Sequence, residues 1–429
     1  MVTGLSTQVG WQSRAQAPVD VTAAGVVFLF PVLAVTAPHG ATGTFGVLFA
    51  LGLVFGWQGW RQLYRWEKQV LTGFLAYAAT VGLSMLIASE HLADAFDGYS
   101  KHLRFVAFVP IYLMTRRFGL DLSRPLITGI VAGLFVMCAV VVNQRYALGI
   151  ERPGGSRDPV QFADVLMLCT VLAGLAMVTL RARAWQNILG AVAIGAGLYA
   201  SYLSLTRNAW LLVPIVFILM LAHERRHMTR LRSLLLAGSF VVLCVLCLHP
   251  RSLVFEGFQS GYQDIELYME APGKFSSWGL RLNMWRNALI IGSDEPWFGT
   301  GLGDYDEAAG ELLASGTSYS QDPMLLEQAH NAFIHTFAES GVFALLAFTA
   351  GLLVTPLLAF ARHWGTRREH GSSFAVLGGM TVTLAFAIFG IGHAWMGSNN
   401  FISIYLLFML VFLSSLAVAE HRAAADRRG

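Results

Sequence analysis

The stretch "EQAHNAFIHTFAESG", residues 327–341, places a His-Asn pair directly before a long apolar run. Histidine has an unperturbed pKa of about 6.5, so it accepts a proton near neutral pH. At the rim of a membrane helix, His330 could take the proton of a substrate hydroxyl while shielded from bulk water. Asn331 belongs to the residue types that cap helix starts. Gly341, about three turns along the same helix, permits close backbone packing. His335 is five residues on from His330 and faces elsewhere. Spacing alone does not separate a base from a structural histidine, which is the commoner case.

Four further stretches bear on chemistry. "HERRH", residues 223–227, matches the pattern that sets two histidines one helical turn apart for zinc, with a glutamate base. That makes an intramembrane zinc metalloprotease the alternative reading from another enzyme class. Arg225, Arg226, Arg230 and Arg232 crowd the site, however, and cations in that number cap a cytoplasmic helix end rather than receive a dication. "PWFGTGLGDY", residues 296–305, misses the dinucleotide fingerprint because Asp304 stands where a glycine is required, and it follows no strand. It reads as a tight turn. Arginines at an outer membrane surface are more informative, since their planar fork suits bidentate binding of phosphate oxygens. Arg207 lies in "SLTRNAW", and Arg281 and Arg286 lie in "LRLNMWRNALIIG". Five residues turn two side chains about 140° apart on a helix, so the latter two need not face one ligand. Snorkelling, or pairing with Asp264, Glu266, Asp294 and Glu295, is the competing use of these charges.

The elements that must hold these groups follow from composition. The 429 residues are 55% apolar and 13% charged, with a mean hydropathy of +0.57. A soluble chain normally carries about a quarter charged residues, so a polytopic membrane protein is indicated. Twelve stretches can span a bilayer as helices: 21–37, 43–57, 69–89, 103–116, 125–143, 160–181, 185–204, 209–223, 233–249, 334–361, 373–395 and 400–419. The first is read as a retained span rather than a signal peptide. With both termini in the cytoplasm, 19 of the 29 basic residues fall inside, which satisfies the positive-inside rule and puts residues 250–330 outside. The expected organisation is residues 1–249 for the first nine helices, 250–333 for a periplasmic loop subdomain, and 334–429 for the last three helices and a short cytoplasmic tail. Within the loop, Leu282, Trp285, Leu289 and Gly292 recur at helical spacing and predict a short helix near the membrane surface. Cys138, Cys169, Cys244 and Cys247 all fall in predicted helices, which argues against a disulfide framework. A net charge of +3 calls for no nucleic-acid partner. The absence of an internal repeat, and of many charged residues within the spans, argues against a transporter or flippase.

His330 and Asn331 followed by nine residues and Gly341 resemble the His-Asn-x9-Gly pattern of the O-antigen ligase and polymerase superfamily. "SLTRNAW" is similar to its Ser-Arg-Gly-Ala-Trp segment, with Thr206 and Asn208 substituted around Arg207. Arg281, Trp285, Pro296, Gly299, Gly301 and Gly303 fit its Arg-x3-Trp and Pro-x2-Gly-x-Gly-x-Gly signature. Ala344 stands three residues later, where the family often has Gly, Thr or Tyr. The resemblance implies a GT-C-type bacterial inner-membrane glycosyltransferase acting on the periplasmic face, inverting, with neither metal nor cofactor. Its donor would be a glycan on undecaprenyl diphosphate. For a ligase the acceptor would be lipid A–core, for a polymerase another lipid-linked glycan. The roles implied are His330 as general base; Arg207 and Arg281, with Arg286 assisting, on the diphosphate; and Asn331, Gly341 and Trp285 in support. The chain ends soon after the last span, without the extra periplasmic domain expected of protein-glycosylating relatives.

Overall fold

The computed structural model describes residues 3–180, 182–206, 208–224, 234, 237–238, 240–241, 244–245, 249, 252–365 and 372–426. Among them every regular element is helical. The long helices are α1 (Thr3–Thr36), α2 (Gly40–Phe55), α3 (Arg65–Ala88), α4 (Leu92–Phe118), α5 (Ser123–Val142), α6 (Pro159–Thr179), α7 (Ala184–Leu203) and α8 (Leu212–Glu224). The loop supplies α9 (Leu253–Glu270), α10 (Ser277–Asp294) and α11 (Tyr305–Ala314). The chain then continues through α12 (Ala332–Ala347), α13 (Thr355–Ala361), α14 (Ser372–Gly392) and α15 (Asn399–Asp426). Seven helical stretches are long and apolar enough to cross a membrane, and Gly40–Phe55 and Ala209–His223 are shorter apolar helices. This is an all-α, multi-pass membrane protein. Helices occupy the predicted stretches except 233–249, most of which lies outside the described residues.

An apolar helix is stable at the centre of such a bundle only if it is apolar on every side. α15 meets that condition: from Asn400 to Ala419 every side chain is buried. Around it stands an aromatic cluster in which Phe386 lies 5.0 Å from both Trp395 and Tyr405, and Phe348 lies 5.7 Å from Trp395. Edge-to-face and tilted pairs of this kind contribute about 0.5–1.5 kcal/mol each beyond their burial. Polar tips inside the cluster are satisfied: Trp395 Nε1 donates to the Phe386 carbonyl at 3.1 Å, and the Tyr405 hydroxyl donates to the Leu352 carbonyl. Outward-facing Val21, Leu53, Leu86, Ile188, Ile218 and Leu346 are exposed, as lipid-facing positions should be. Cys138, Cys169 and Cys244 are free thiols; Cys247 lies outside the described residues.

Two departures from the sequence reading matter for the site. The span predicted as 373–395 ends as a helix at Gly392, which leaves His393 in the turn beyond it. The span predicted as 334–361 is not one regular helix. It breaks at Gly341 (φ +76°, ψ −177°) and widens to a π-helical turn over Phe348–Val354. Pro356, which has no N–H to give to the preceding turn, follows that wide turn.

Candidate active site

Asn331 explains the local backbone at the start of α12. Its Oδ1 accepts from Phe333 N at 3.0 Å and Ile334 N at 3.2 Å, and capping requires it to be extended (φ −149°, ψ 118°). The chain must therefore reverse just before it, and His330 takes the left-handed conformation (φ +47°). A non-glycine residue there costs about 1–3 kcal/mol and persists only where its surroundings over-determine it. Leu325 and Ala329, both fully buried, pin the preceding segment. Among the described residues, only one other non-glycine has a positive φ: Leu205 (+56°), two positions before Arg207. Backbone strain thus falls in two of the motifs singled out from sequence.

The half-buried His330 ring sits 6.2 Å, centre to centre, from that of His393. Burial, and then the charge of Arg281, depresses its basicity below the ordinary histidine value, with Asp158 and Glu327 opposing. A neutral imidazole at pH 7 is the form that can accept a proton. His335 turns the other way, 3.6 Å from Glu339 Oε2 and edge-on to Tyr305 at 4.8 Å.

Ser276 caps α10 through Gly279 N at 3.0 Å, and the helix carries both loop arginines. Arg281 lies over Trp278, 5.5 Å from the ring centre, and no protein oxygen bonds its guanidinium among the described residues. Burial and the neighbouring Arg152 weaken its hold on its proton, while Asp158 and Asp164 strengthen it. An arginine normally remains charged under such shifts, so this is a half-buried cation with no salt bridge among the described residues. Arg286 is differently engaged: it donates to the Thr317 carbonyl at 2.9 Å and packs on Tyr319 at 4.0 Å. Its recorded partners are on the loop, apart from those of His330. Arg207 lies outside the described residues; its neighbour Thr206 donates to the Pro159 carbonyl at 3.3 Å. Trp285 stands edge-on to Trp278 at 6.4 Å. The predicted stripe on this helix is displaced: Leu289 is exposed, and the buried line runs through Leu280, Met284, Ala288 and Ile291. The helix packs on α12 rather than lying apart, since Gly292 faces Phe337 and Ala338.

The glycine-rich turn straps this assembly to the bundle. Thr300 N and Gly301 N donate to the Ala338 and Glu339 carbonyls at 3.0 and 3.1 Å, and Val342 N donates to the Pro296 carbonyl at 2.9 Å. On its other side, Ser84 Oγ donates to the Phe298 carbonyl at 2.6 Å and Glu90 N to Asp304 Oδ2 at 2.9 Å. Gly341 is the counterpart of this strap. Its φ of +76° suits glycine, and a methyl group there would collide with the Trp297 carbonyl and stand 2.5 Å from Phe298 N. Nine residues between Asn331 and Gly341 set the distance from the cap to this dock.

Four groups escaped the sequence reading. Asp158 caps α6 through Val160 N (2.9 Å) and Gln161 N (3.2 Å), with Pro159 at the first helical position. Gln161 Nε2 lies 2.9 Å from His393 Nε2. Asp164 is fully buried and neither carboxylate oxygen has a partner. The signals were available: a lone carboxylate inside an apolar run, and a histidine at the end of another. In "HERRH", His223 is buried against Ser373 Oγ at 3.2 Å and edge-on to Trp364; Arg225, Arg226 and His227 lie outside the described residues.

Residues 191–349 match the O-antigen ligase family, a stretch that takes in Arg207, Arg281, Arg286, His330, Asn331 and Gly341. The chain is also similar to a protein of Haemophilus influenzae described only as uncharacterized. The two are 23% identical over 393 residues, covering 90% of this chain and 96% of the other.

Proposed function

We propose that this chain, which carries an O-antigen ligase family domain over residues 191–349, transfers a polysaccharide from undecaprenyl diphosphate to a sugar hydroxyl of lipid A–core. The reaction would take place on the periplasmic face of the bacterial inner membrane, in a GT-C-type bundle of about twelve helices with both termini cytoplasmic. The observation that carries the reading is the pairing of a strained imidazole, held below the ordinary histidine basicity, with an arginine that has no salt bridge among the described residues.

His330 acts as general base on the acceptor hydroxyl, which attacks the anomeric carbon in line and inverts it. The C–O bond to the lipid diphosphate breaks, and Arg281 with Arg207 receives the negative charge that departs. Charges fixed in advance where charge develops supply a large share of catalysis, and a positioned base typically adds about 10²–10⁴-fold. Asn331 and Gly341 hold the base through the cap and the strap, Trp285 backs Trp278 beneath Arg281, and Arg286 orders the loop. Neither metal nor cofactor has a step in this scheme.

Purified His330→Ala in proteoliposomes is expected to lose transfer by at least about a hundredfold with unchanged thermal stability. Wild-type transfer by that variant overturns the assignment. In a deletion strain, free lipid A–core together with accumulated lipid-linked polymer marks a ligase. Core bearing one repeat marks a polymerase instead.

A further inference from the structure

His393 is a second imidazole beside the proposed base, and no step above uses it. It follows the last residue of α14, is 9% exposed, and is held from three sides. Phe401 meets its ring edge-on at 5.9 Å, its carbonyl accepts from Trp395 N at 3.0 Å, and Gln161 approaches its Nε2 at 2.9 Å. Gln161 places its amide nitrogen at Nε2; an amide nitrogen only donates, and this orientation assigns the lone pair of His393 to Nε2 and the hydrogen to Nδ1. That Nδ1 has no hydrogen-bond partner among the described residues. The site thus holds two neutral imidazoles of opposite character, one to accept and one to donate, with ring centres 6.2 Å apart. Two adjacent oxygens of one sugar ring can bridge a gap of that size.

Resting on the function proposed above, we infer that His393 is a substrate-binding residue. Its Nδ1–H donates to the hydroxyl oxygen adjacent to the attacking one on the acceptor sugar, and Gln161 is the positioning residue that fixes the tautomer. A charged imidazole would instead compete with Arg281 for the diphosphate. Burial first, then His330, drives His393 down to about 4, with Arg281 and His335 adding to this and Asp158 opposing. Asp164, one turn below Gln161, is the remaining acidic group on that helix face.

The test uses the full chain in proteoliposomes with lipid-linked glycan donor and lipid A–core acceptor. Asparagine can place an amide N–H near the position of Nδ1, whereas glutamine reaches toward Nε2 and leaves Nδ1 empty. His393→Gln is expected to raise the acceptor KM roughly tenfold, the loss of one hydrogen bond, with the donor KM unchanged. His393→Asn should recover most of that loss. Gln161→Glu, whose carboxylate accepts from Nε2–H and so leaves the lone pair of the neutral ring on Nδ1, should raise the acceptor KM at neutral pH as His393→Gln does. Equal damage from the Asn and Gln variants, or an unchanged acceptor KM in His393→Gln, overturns the inference. If His330→Ala also retains transfer, the proposed function fails with it; if His330→Ala is inactive, only the role of His393 is lost.

Discussion

Two faces of α10 carry one arginine each, five residues apart. Arg286 gives its guanidinium to the Thr317 carbonyl and to the Tyr319 ring, and so closes the loop on itself. Arg281 lies on the Trp278 ring, makes no hydrogen bond among the described residues, and is in the field of Arg152, two acids and His330. The same contrast separates the glycine strap from the His330 group as a whole. In the strap the backbone amides and carbonyls are paired and the fit is close. Near His330, among the described residues, Arg281 has no bonded oxygen, both carboxylate oxygens of the buried Asp164 lack a partner, and His393 Nδ1 makes no hydrogen bond. Unpaired polarity is costly in a fold at rest, so these groups beside a strained histidine are ones a ligand can satisfy, whereas the strap serves the architecture.

That contrast can be broken most forcefully at Arg281. Arg281→Gln should lower transfer by about 10²–10³-fold, the effect of removing one preorganised charge-stabilising group, measured as kcat in proteoliposomes. The next largest effect concerns stability. Gly341→Ala forces an L-residue to φ +76° against the Trp297 carbonyl, and unfolding should become easier by about 1–3 kcal/mol or more. Gly316→Ala, also at positive φ (+71°) but with nothing near, should fall at the low end of that range in the same thermal melt. A smaller effect appears in pH dependence. Because burial and Arg281 lower the pKa of His330, the neutral base persists below a pH of about 6.5, and kcat/KM declines only on the acid side of that value. Arg281→Gln removes one lowering influence, so the residual activity of that variant should show its acid limb at higher pH. The smallest effect belongs to Arg286→Ala, whose transfer should stay within about threefold of wild type, with about 1 kcal/mol lost from stability at most.

Much of this was legible in sequence because local physics wrote it there. Apolar runs located helices, seven of them long and apolar enough to cross a membrane, and Asn331 announced a cap that the structure contains. "PWFGTGLGDY" read as a tight turn because glycines permit what other residues cannot. What escaped depended on distant parts of the chain meeting. Gly341 has its meaning only against Trp297 and Phe298, and the break it makes in the helix is invisible to hydropathy. Gln161 and His393 are 232 positions apart and meet only in the folded bundle. The buried stripe of α10 was misplaced because two asparagines on it, Asn283 and Asn287, find carbonyl and hydroxyl partners and count as interior despite their polarity.

The central claim is that Arg281, and not Arg286, receives the lipid diphosphate. Binding of undecaprenyl diphosphate to the purified protein in detergent, with Arg281→Gln and Arg286→Gln side by side, tests it most directly. Arg281→Gln is expected to weaken binding roughly tenfold or more while Arg286→Gln binds as the wild type does. Equal affinities in all three proteins, or a loss confined to Arg286→Gln, would contradict it.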